Sequence, residues 1–368
     1  MVAGVALLCC LPALASAIPV SVPRLTAGQL EGRILASQRL SFAGYAESDA
    51  NFNLPSLPAF SSVTPLLDGV TRMRVWQAGP NRWRVDTLFD TSENDTYQLG
   101  DDTYVWDSGE QLLTGIYGAQ HIRLPRAADL VPSALAARLI DDAGPSAKLS
   151  ILPPRRVAGQ SAAGLAVKPA SPQSTIAQVD IWADPATGLP LLVEVFGRDS
   201  AQPALATQFL QVGPWTPDTD VLTPQRGPGT GFTTTTPSAF AGVLKNLLAI
   251  PAPSSLAGLA RGPSPVPQIS VYGSGLSTFA VLAFTPSQGG QLLTDALDAG
   301  ATRLSLGHAS GAIASAPLVN LALVRPFPRG PTFLVVGLVS KATIEKAATA
   351  IAAYHPYFHC HRDRDRRR

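Results

Sequence analysis

Between Thr71 and Ile116 the chain alternates apolar and polar side chains at a period of two. Met73 and Val75 stand against Arg72 and Arg74. Trp83 and Val85 stand against Arg82, Arg84 and Asp86, and Tyr104 and Trp106 against Thr103 and Asp107. A period of two puts successive side chains on opposite faces of a strand. Ala78-Gly79-Pro80-Asn81, Gly100-Asp101 and Ser108-Gly109 supply turn residues between the runs. The segment predicts an antiparallel meander with an aromatic-rich face, which needs a core, a lid or an apolar ligand to cover it.

The flanking patterns extend the sheet. Thr26 to Gln38 predicts a helix, N-capped by Thr26 with Leu30, Ile34 and Leu35 on one stripe. Leu40 to Glu47 predicts the first strand. Phe52 to Leu67 is apolar but broken by Pro55 and Pro58, which predicts a loop carrying Leu54, Leu57 and Phe60 as a lid. Asp129 to Ile140 predicts a short helix with Pro132 in its first turn. Strands are predicted over Lys148–Ile151, Ala163–Lys168, Ala177–Ala183, Leu189–Phe196 and Thr207–Val212, with a tight turn at Asp184-Pro185-Ala186-Thr187-Gly188. Met73, Val75, Trp83, Val85, Tyr104, Trp106, Val179, Ile181, Leu191 and Val193 are expected to share one concave face. A one-residue slip would bury Arg72, Arg84 and Glu194 unpaired.

Thr223–Pro237 and Pro251–Pro267 are rich in Pro, Gly, Thr and Ser and predict linkers, with a short helix at Phe240–Ala249 between them. From Gln268 onward, two strands around Gly273-Ser274-Gly275, a helix at Gly289–Ala299, strands at Leu318–Arg325 and Thr332–Val339, and an Ala-rich helix at Lys341–Ala353 predict a small α+β domain. The expected map is an export segment at 1–17, a mainly β unit at 24–220, a linker at 221–267, the small domain at 268–354 and a basic tail at 355–368.

Composition narrows the function. Of the residues 46% are hydrophobic and 15% charged, against a usual ~25% charged. The formal net charge is only +2, which argues against a nucleic-acid partner. Val2 to Leu14 is an apolar run ending in Ala15-Ser16-Ala17, the pattern of a signal peptide cleaved after Ala17, although no Lys or Arg precedes it. An uncleaved anchor is the alternative, and a lipoprotein anchor at Cys9 or Cys10 a weaker one, since Leu8 is not small. Cleavage leaves Cys360 as the last cysteine, so no internal disulfide is expected.

No enzyme constellation emerges. A Gly-x-Ser-x-Gly elbow is absent from the sequence, and Gly227-Pro228-Gly229-Thr230-Gly231 lacks the Lys of a phosphate loop. His121 and His308 are isolated. His355, His359, Cys360 and His361 are ligand types, but Pro356 breaks their presentation and no second cluster completes a site, so a disordered basic tail is expected. No catalytic, cofactor or metal residues are assigned.

In combination, several motifs resemble the LolA-like superfamily of envelope proteins. They are the Leu25–Leu35 helix, Ser41-Phe42-Ala43-Gly44, Arg74-Val75-Trp76 with Gly79 to Val85, Asp102-Thr103-Tyr104-Val105-Trp106, and Ile181-Trp182 with Asp184 and Thr187-Gly188-Leu189-Pro190. Val271 to Ser277 and Phe333-Leu334-Val335-Val336-Gly337 resemble the small domain of RseB/MucB-type regulators. The resemblance implies a half-open antiparallel barrel capped by helices, in an exported protein that holds an acyl chain of a lipid or lipoprotein as carrier or sensor. It alternatively implies a regulator that binds an anti-sigma factor, and it admits an envelope transporter as a further partner. The Asn53–Leu67 insertion and the long linker depart from the family pattern.

Overall fold

The structure, a computed structural model, describes residues 20–52, 64–120, 123–235, 247–264 and 266–354. The export segment, the lid residues Leu54, Leu57 and Phe60, His121, most of the helix expected at 240–249 and the tail from His355 lie outside the described residues.

Helix α1 (Ala27–Ala36) begins at a capping box. Thr26 accepts the Gln29 N–H through its hydroxyl, and the Gln29 side chain accepts the Thr26 N–H in return. Strand β1 (Phe42–Asn51) and a single helical turn, α2 (Thr64–Leu67), precede the meander: β2 (Asp68–Gly79), β3 (Arg82–Leu88), β4 (Glu93–Leu99), β5 (Asp102–Asp107) and β6 (Leu112–Ile116). A 3₁₀ turn at Ala127–Leu130 leads into α3 (Pro132–Ala143), where Pro132 sits in the first turn and loses no helical hydrogen bond. Then come β7 (Lys148–Val157), β8 (Gln160–Lys168), β9 (Ile176–Ala183), β10 (Pro190–Gly197), β11 (Pro203–Pro214), the turn α4 (Thr219–Leu222) and β12 (Gly231–Thr235).

These strands build one twelve-stranded sheet in the order β12-β6-β5-β4-β3-β2-β1-β11-β10-β9-β8-β7. Its two ends are different strands, so it does not close. Every pairing is antiparallel except β12 with β6, which is parallel. The fold is therefore mainly β, a large open antiparallel sheet that folds around α1 and α3.

The second domain is a seven-stranded sheet built from β13 (Leu247–Leu248), β16 (Ile269–Tyr272), β17 (Phe279–Phe284), β18 (Thr302–Arg303), β19 (Ser310–Ser315), β20 (Asn320–Arg325) and β21 (Thr332–Gly337). Alternation assigns its faces. Val281, Val324 and Val335 pack under α6 (Lys341–Ala352), while Leu282, Leu323 and Leu334 pack under α5 (Pro286–Asp298). A hairpin of β14 (Ser255–Leu256) and β15 (Leu259–Ala260) seals the α6 side through Leu256.

The expected linker is reorganised at both ends. Residues 231–235 join the large sheet, and 247–260 belong to the second domain, with Leu247 and Leu248 in a strand rather than a helix. The two domains also share a core. Leu276 and Leu318 of the second domain lie buried in the hydrophobic cluster of the first. Backbone bonds Thr175 N–H to Leu338 O and Ser340 N–H to Gln173 O tie the start of β9 to the end of β21. Gly275 lies in left-handed conformation, φ +52°, against the end of α3, where a Cβ would fall 1.9 Å from the Asp142 carbonyl oxygen. Only glycine permits that approach.

Candidate functional site on the inner face

Cross-strand register fixes which side chains share a face. One row runs Val75, Val85, Thr96, Val105, Thr114. The next runs Gln77, Trp83, Gln98, Thr103, Ile116. Beyond β2 the same face continues through Met73 and Ala46 to Phe209, and from Thr207 through Val193 and Ile181 to Leu165. This is the inner face. It carries Met73, Val75, Trp83, Val85, Val179, Ile181, Leu191 and Val193 of the expected set.

Tyr104 and Trp106 are not on it. Trp106 pairs with Asp95 and Tyr104 with Tyr97, so both stand on the outer face with Arg74, Arg84 and Asp86. Tyr104, Val105 and Trp106 are three consecutive apolar positions, and such a run carries no phase of its own. The two-residue Gly100-Asp101 turn sets it, pairing Leu99 with Asp102 and turning Thr103 and Val105 inward.

The inner face has two unequal parts. From β8 to β11 it is packed dry: Leu165, Val179, Ile181, Leu191 and Val193 are buried against Leu30 and Ile34 of α1 and Leu135, Ala136, Leu139 and Ile140 of α3. From β3 to β6 the cover given by the described residues thins and polarity rises. Val85 is buried, but Trp83, Thr96, Val105 and Thr114 are half-buried, and Thr and Gln side chains rim the apolar ones. This mouth is the candidate binding site.

Arg126, a residue the sequence reading did not single out, reaches over this mouth. Its guanidinium lies 5.1 Å from the centre of the Trp83 ring and donates to Gln98 Oε1 at 3.3 Å. Its Nε is buried with no hydrogen-bond partner among the described residues. Asp129 accepts the Arg126 backbone N–H, but its carboxylate is gripped in two prongs by Arg123, at 2.5 and 2.6 Å. Burial, and Arg123 beside it, pull the Arg126 guanidinium down to about 10.

The outer face of the same strands holds a buried ionic cluster. Arg84 grips Asp86 through two bonds, at 2.5 and 3.0 Å, and reaches Asp95 at 2.8 Å. Arg74 pairs with Asp86 and Glu93. The Trp76 ring lies under both guanidiniums, and Val221 of α4 covers the edge, its carbonyl 3.4 Å from Arg84 Nη1. Burial, and the neighbouring Asp86 carboxylate, push the Asp95 carboxyl up to about 7. The three carboxylates lie close enough together to hold a cation, but Arg74 and Arg84 are already paired with them and offset two of the three charges. Among the described residues no helix is long and apolar enough to cross a membrane.

No protein-family model matches the chain, and no curated protein sequence matches it. Among solved structures it is similar to that of the Pseudomonas aeruginosa MucA/MucB complex, at 21% identity over 88% of this chain and 96% of that chain, with a TM-score of 0.47. It is likewise similar to the crystal structure of MucB, at 21% identity over 88% of this chain and 96% of that one, with a TM-score of 0.45. A LolA superfamily protein from Nitrosomonas europaea is similar at 12% identity over 55% of this chain and 99% of that one, with a TM-score of 0.24.

Proposed function

We propose that this is an exported, non-enzymatic protein that holds an apolar chain, such as the acyl chain of a lipid or lipoprotein, on the inner face at the β3–β6 mouth. The observation that carries the reading is the unequal cover of one continuous face, dry under α1 and α3 but half-buried around Trp83, Thr96 and Val105. Each methylene transferred from water to such a surface contributes about 0.8 kcal/mol, so reversible burial suffices and no catalyst is required. The motif resemblance to LolA-like envelope proteins supports the same reading, with the cell envelope as the compartment.

Val105→Trp tests it. The added ring fills the mouth from β5, where the side chain is half-buried, without adding charge, so uptake of a fluorescent fatty acid is expected to fall at least tenfold while the circular dichroism spectrum stays that of the wild type. Unchanged uptake by a folded variant would make this face an ordinary core and remove the proposal.

A second reading is a regulator that binds an anti-sigma factor. The shared core between the two domains favours it, because α3, which packs on the inner face, also packs against the Gly275–Ser277 turn of the second domain. A cleft of about 490 Å³ between α3 and that turn, lined by Asp142, Pro145, Ser274 and Leu276, offers a protein partner a place. A membrane protein co-purifying in stoichiometric amount, rather than a lipid alone, separates this reading from the carrier.

A further inference from the structure

Arginine in a folded protein is ordinarily answered by a carboxylate or by water. At the mouth of the inner face this rule is incompletely met. Three guanidiniums, Arg123, Arg126 and Arg138, stand beside one carboxylate, Asp129, and Arg123 takes both of its oxygens. Among the described residues Arg126 is left with a neutral amide, a ring face and a buried Nε without an acceptor. Gln98 cannot supply the missing charge, and its amide is already committed. Its Nε2 donates to the carbonyls of Gly100 and Asp102, and its Oε1 also accepts from Thr103. A cation partly removed from water and short of an anion is costly to the fold, unless a ligand supplies that anion.

The position of this cation agrees. Trp83 and Gln98 are inner-face residues by register, so Arg126 lies at the rim of the surface that takes the apolar chain in the reading above. A chain lying along Val105 and Trp83, both half-buried, would bring its end group to Arg126.

We infer that the ligand of this mouth is an amphiphile with an anionic head, a carboxylate or a phosphate, and that Arg126 holds the head while Trp83 and Val105 hold the chain. The inference rests on the proposed apolar-ligand reading and narrows it to anionic amphiphiles. Guanidinium suits both head groups, because its planar fork donates two parallel hydrogen bonds to paired oxygens. Arg123 remains with Asp129 as the positioning pair that fixes the 3₁₀ turn beneath Arg126.

The experiment compares dodecanoic acid, dodecyl phosphate and the uncharged methyl ester of dodecanoic acid as competitors of a bound fluorescent probe, using the full chain. The wild type is expected to bind each anion about tenfold more tightly than the ester, the equivalent of about 1.4 kcal/mol. Arg126→Gln should bring the anions down to the ester's affinity and leave the ester unchanged. Arg126→Lys should recover part of the preference, because it restores the charge without the fork. If carboxylate alone shows the preference, the head is a carboxylate, and likewise for phosphate. Arg126→Met, which keeps the stacking on Trp83, covers the case in which Arg126→Gln fails to fold. Equal affinity of wild type for acid, phosphate and ester overturns the inference while sparing the apolar-ligand reading. A preference that persists in folded Arg126→Gln and Arg126→Met also overturns it. A wild type that binds none of the three overturns both.

Discussion

Ile181 and Val105 both point inward from antiparallel strands of the same sheet, yet Ile181 is wholly buried and Val105 is half-buried. The difference lies in what faces them. Ile181 meets the apolar stripes of α1 and α3, each of which has a hydrophobic face with nowhere else to go. Val105 sits where the helical cover ends and the inner face turns to Thr, Gln and Asn. The outer face is packed in both parts, and over β8–β10 it buries Ala166, Asp180, Trp182 and Leu192. Over β2–β4 the outer face is itself packed, with Asp86 and Asp95 buried under two arginines, Trp76 and α4. One part of the sheet spends its hydrophobic surface on stability. The other derives stability from its outer layer and leaves the inner surface accessible.

The sharpest way to break this comparison is to truncate both residues. Ile181→Ala removes packed atoms from a region that cannot collapse and should cost about 2–5 kcal/mol in urea unfolding. Val105→Ala should cost less than about 1 kcal/mol. Similar losses at the two sites would mean that the mouth is as tightly packed as the rest, and the site would lose its physical basis.

The outer layer makes the next largest prediction. The Asp95 carboxyl is raised from 3.8 to about 7. A carboxyl raised in the folded state holds its proton more tightly folded than unfolded. Its stabilising share is therefore complete below about pH 4, declines as pH rises toward about 7, and is gone above that. Stability should fall between pH 5 and pH 8 by on the order of 2–4 kcal/mol. Asp95→Asn, which keeps the shape and cannot ionise, should flatten the slope and be the more stable protein at pH 8. A wild-type protein whose urea midpoint does not move between pH 5 and pH 8 would show Asp95 ionised throughout, with Arg74 and Arg84 keeping all three carboxylates charged. The groups that face Asp95 are Arg84 and Asp86 on β3, Arg74 on β2, and Glu93 and Tyr97 on β4, so a shifted slope can be traced within them.

Much of this architecture was legible in the chain. The capping box at Thr26, the Pro132 helix start, the Asp184–Gly188 turn and the alternation of β2, β3, β9 and β10 each have a local cause, and each stands where that cause puts it. What was not legible depends on partners distant in sequence. The phase of β5 is hidden by three apolar residues in a row and is set by the turn before it. The stretch at 231–235 becomes a strand because β6 offers an unpaired edge; Phe232 and three Thr favour a strand, but the Gly- and Pro-rich surroundings mask it and nothing local names β6 as the partner. The buried outer face reads in sequence as a wet one, since Arg84, Asp86 and Asp95 are charged. Only the register brings them close enough to pair. Arg126 carries no motif, and its role follows from Trp83 and Gln98 lying beneath it. A hint of it was present, because Arg123, Arg126 and a single Asp129 fall within seven residues of one another with the charges unbalanced.

The last prediction turns on the phase of one strand. Val105 and Trp106 are adjacent in sequence and stand on opposite faces of β5. Val105→Arg places a charge on the inner face beside Val85 and Thr96, where an apolar chain would lie, so fatty-acid uptake should be lost. Trp106→Arg places the same charge on the outer face, across from Asp95. Uptake should persist, and stability at neutral pH should change by no more than about 1 kcal/mol. The new cation should also favour the ionised form of Asp95, so the decline in stability between pH 5 and pH 8 should shrink in this variant. That second readout matters because retained uptake alone could mean only that position 106 is unimportant. A reduced pH slope with retained uptake puts the side chain beside Asp95 and away from the ligand. Loss of uptake in a folded Trp106→Arg protein, with the pH slope unchanged, would mean that the strand presents Trp106 inward and that the division of labour between the two faces is drawn in the wrong place.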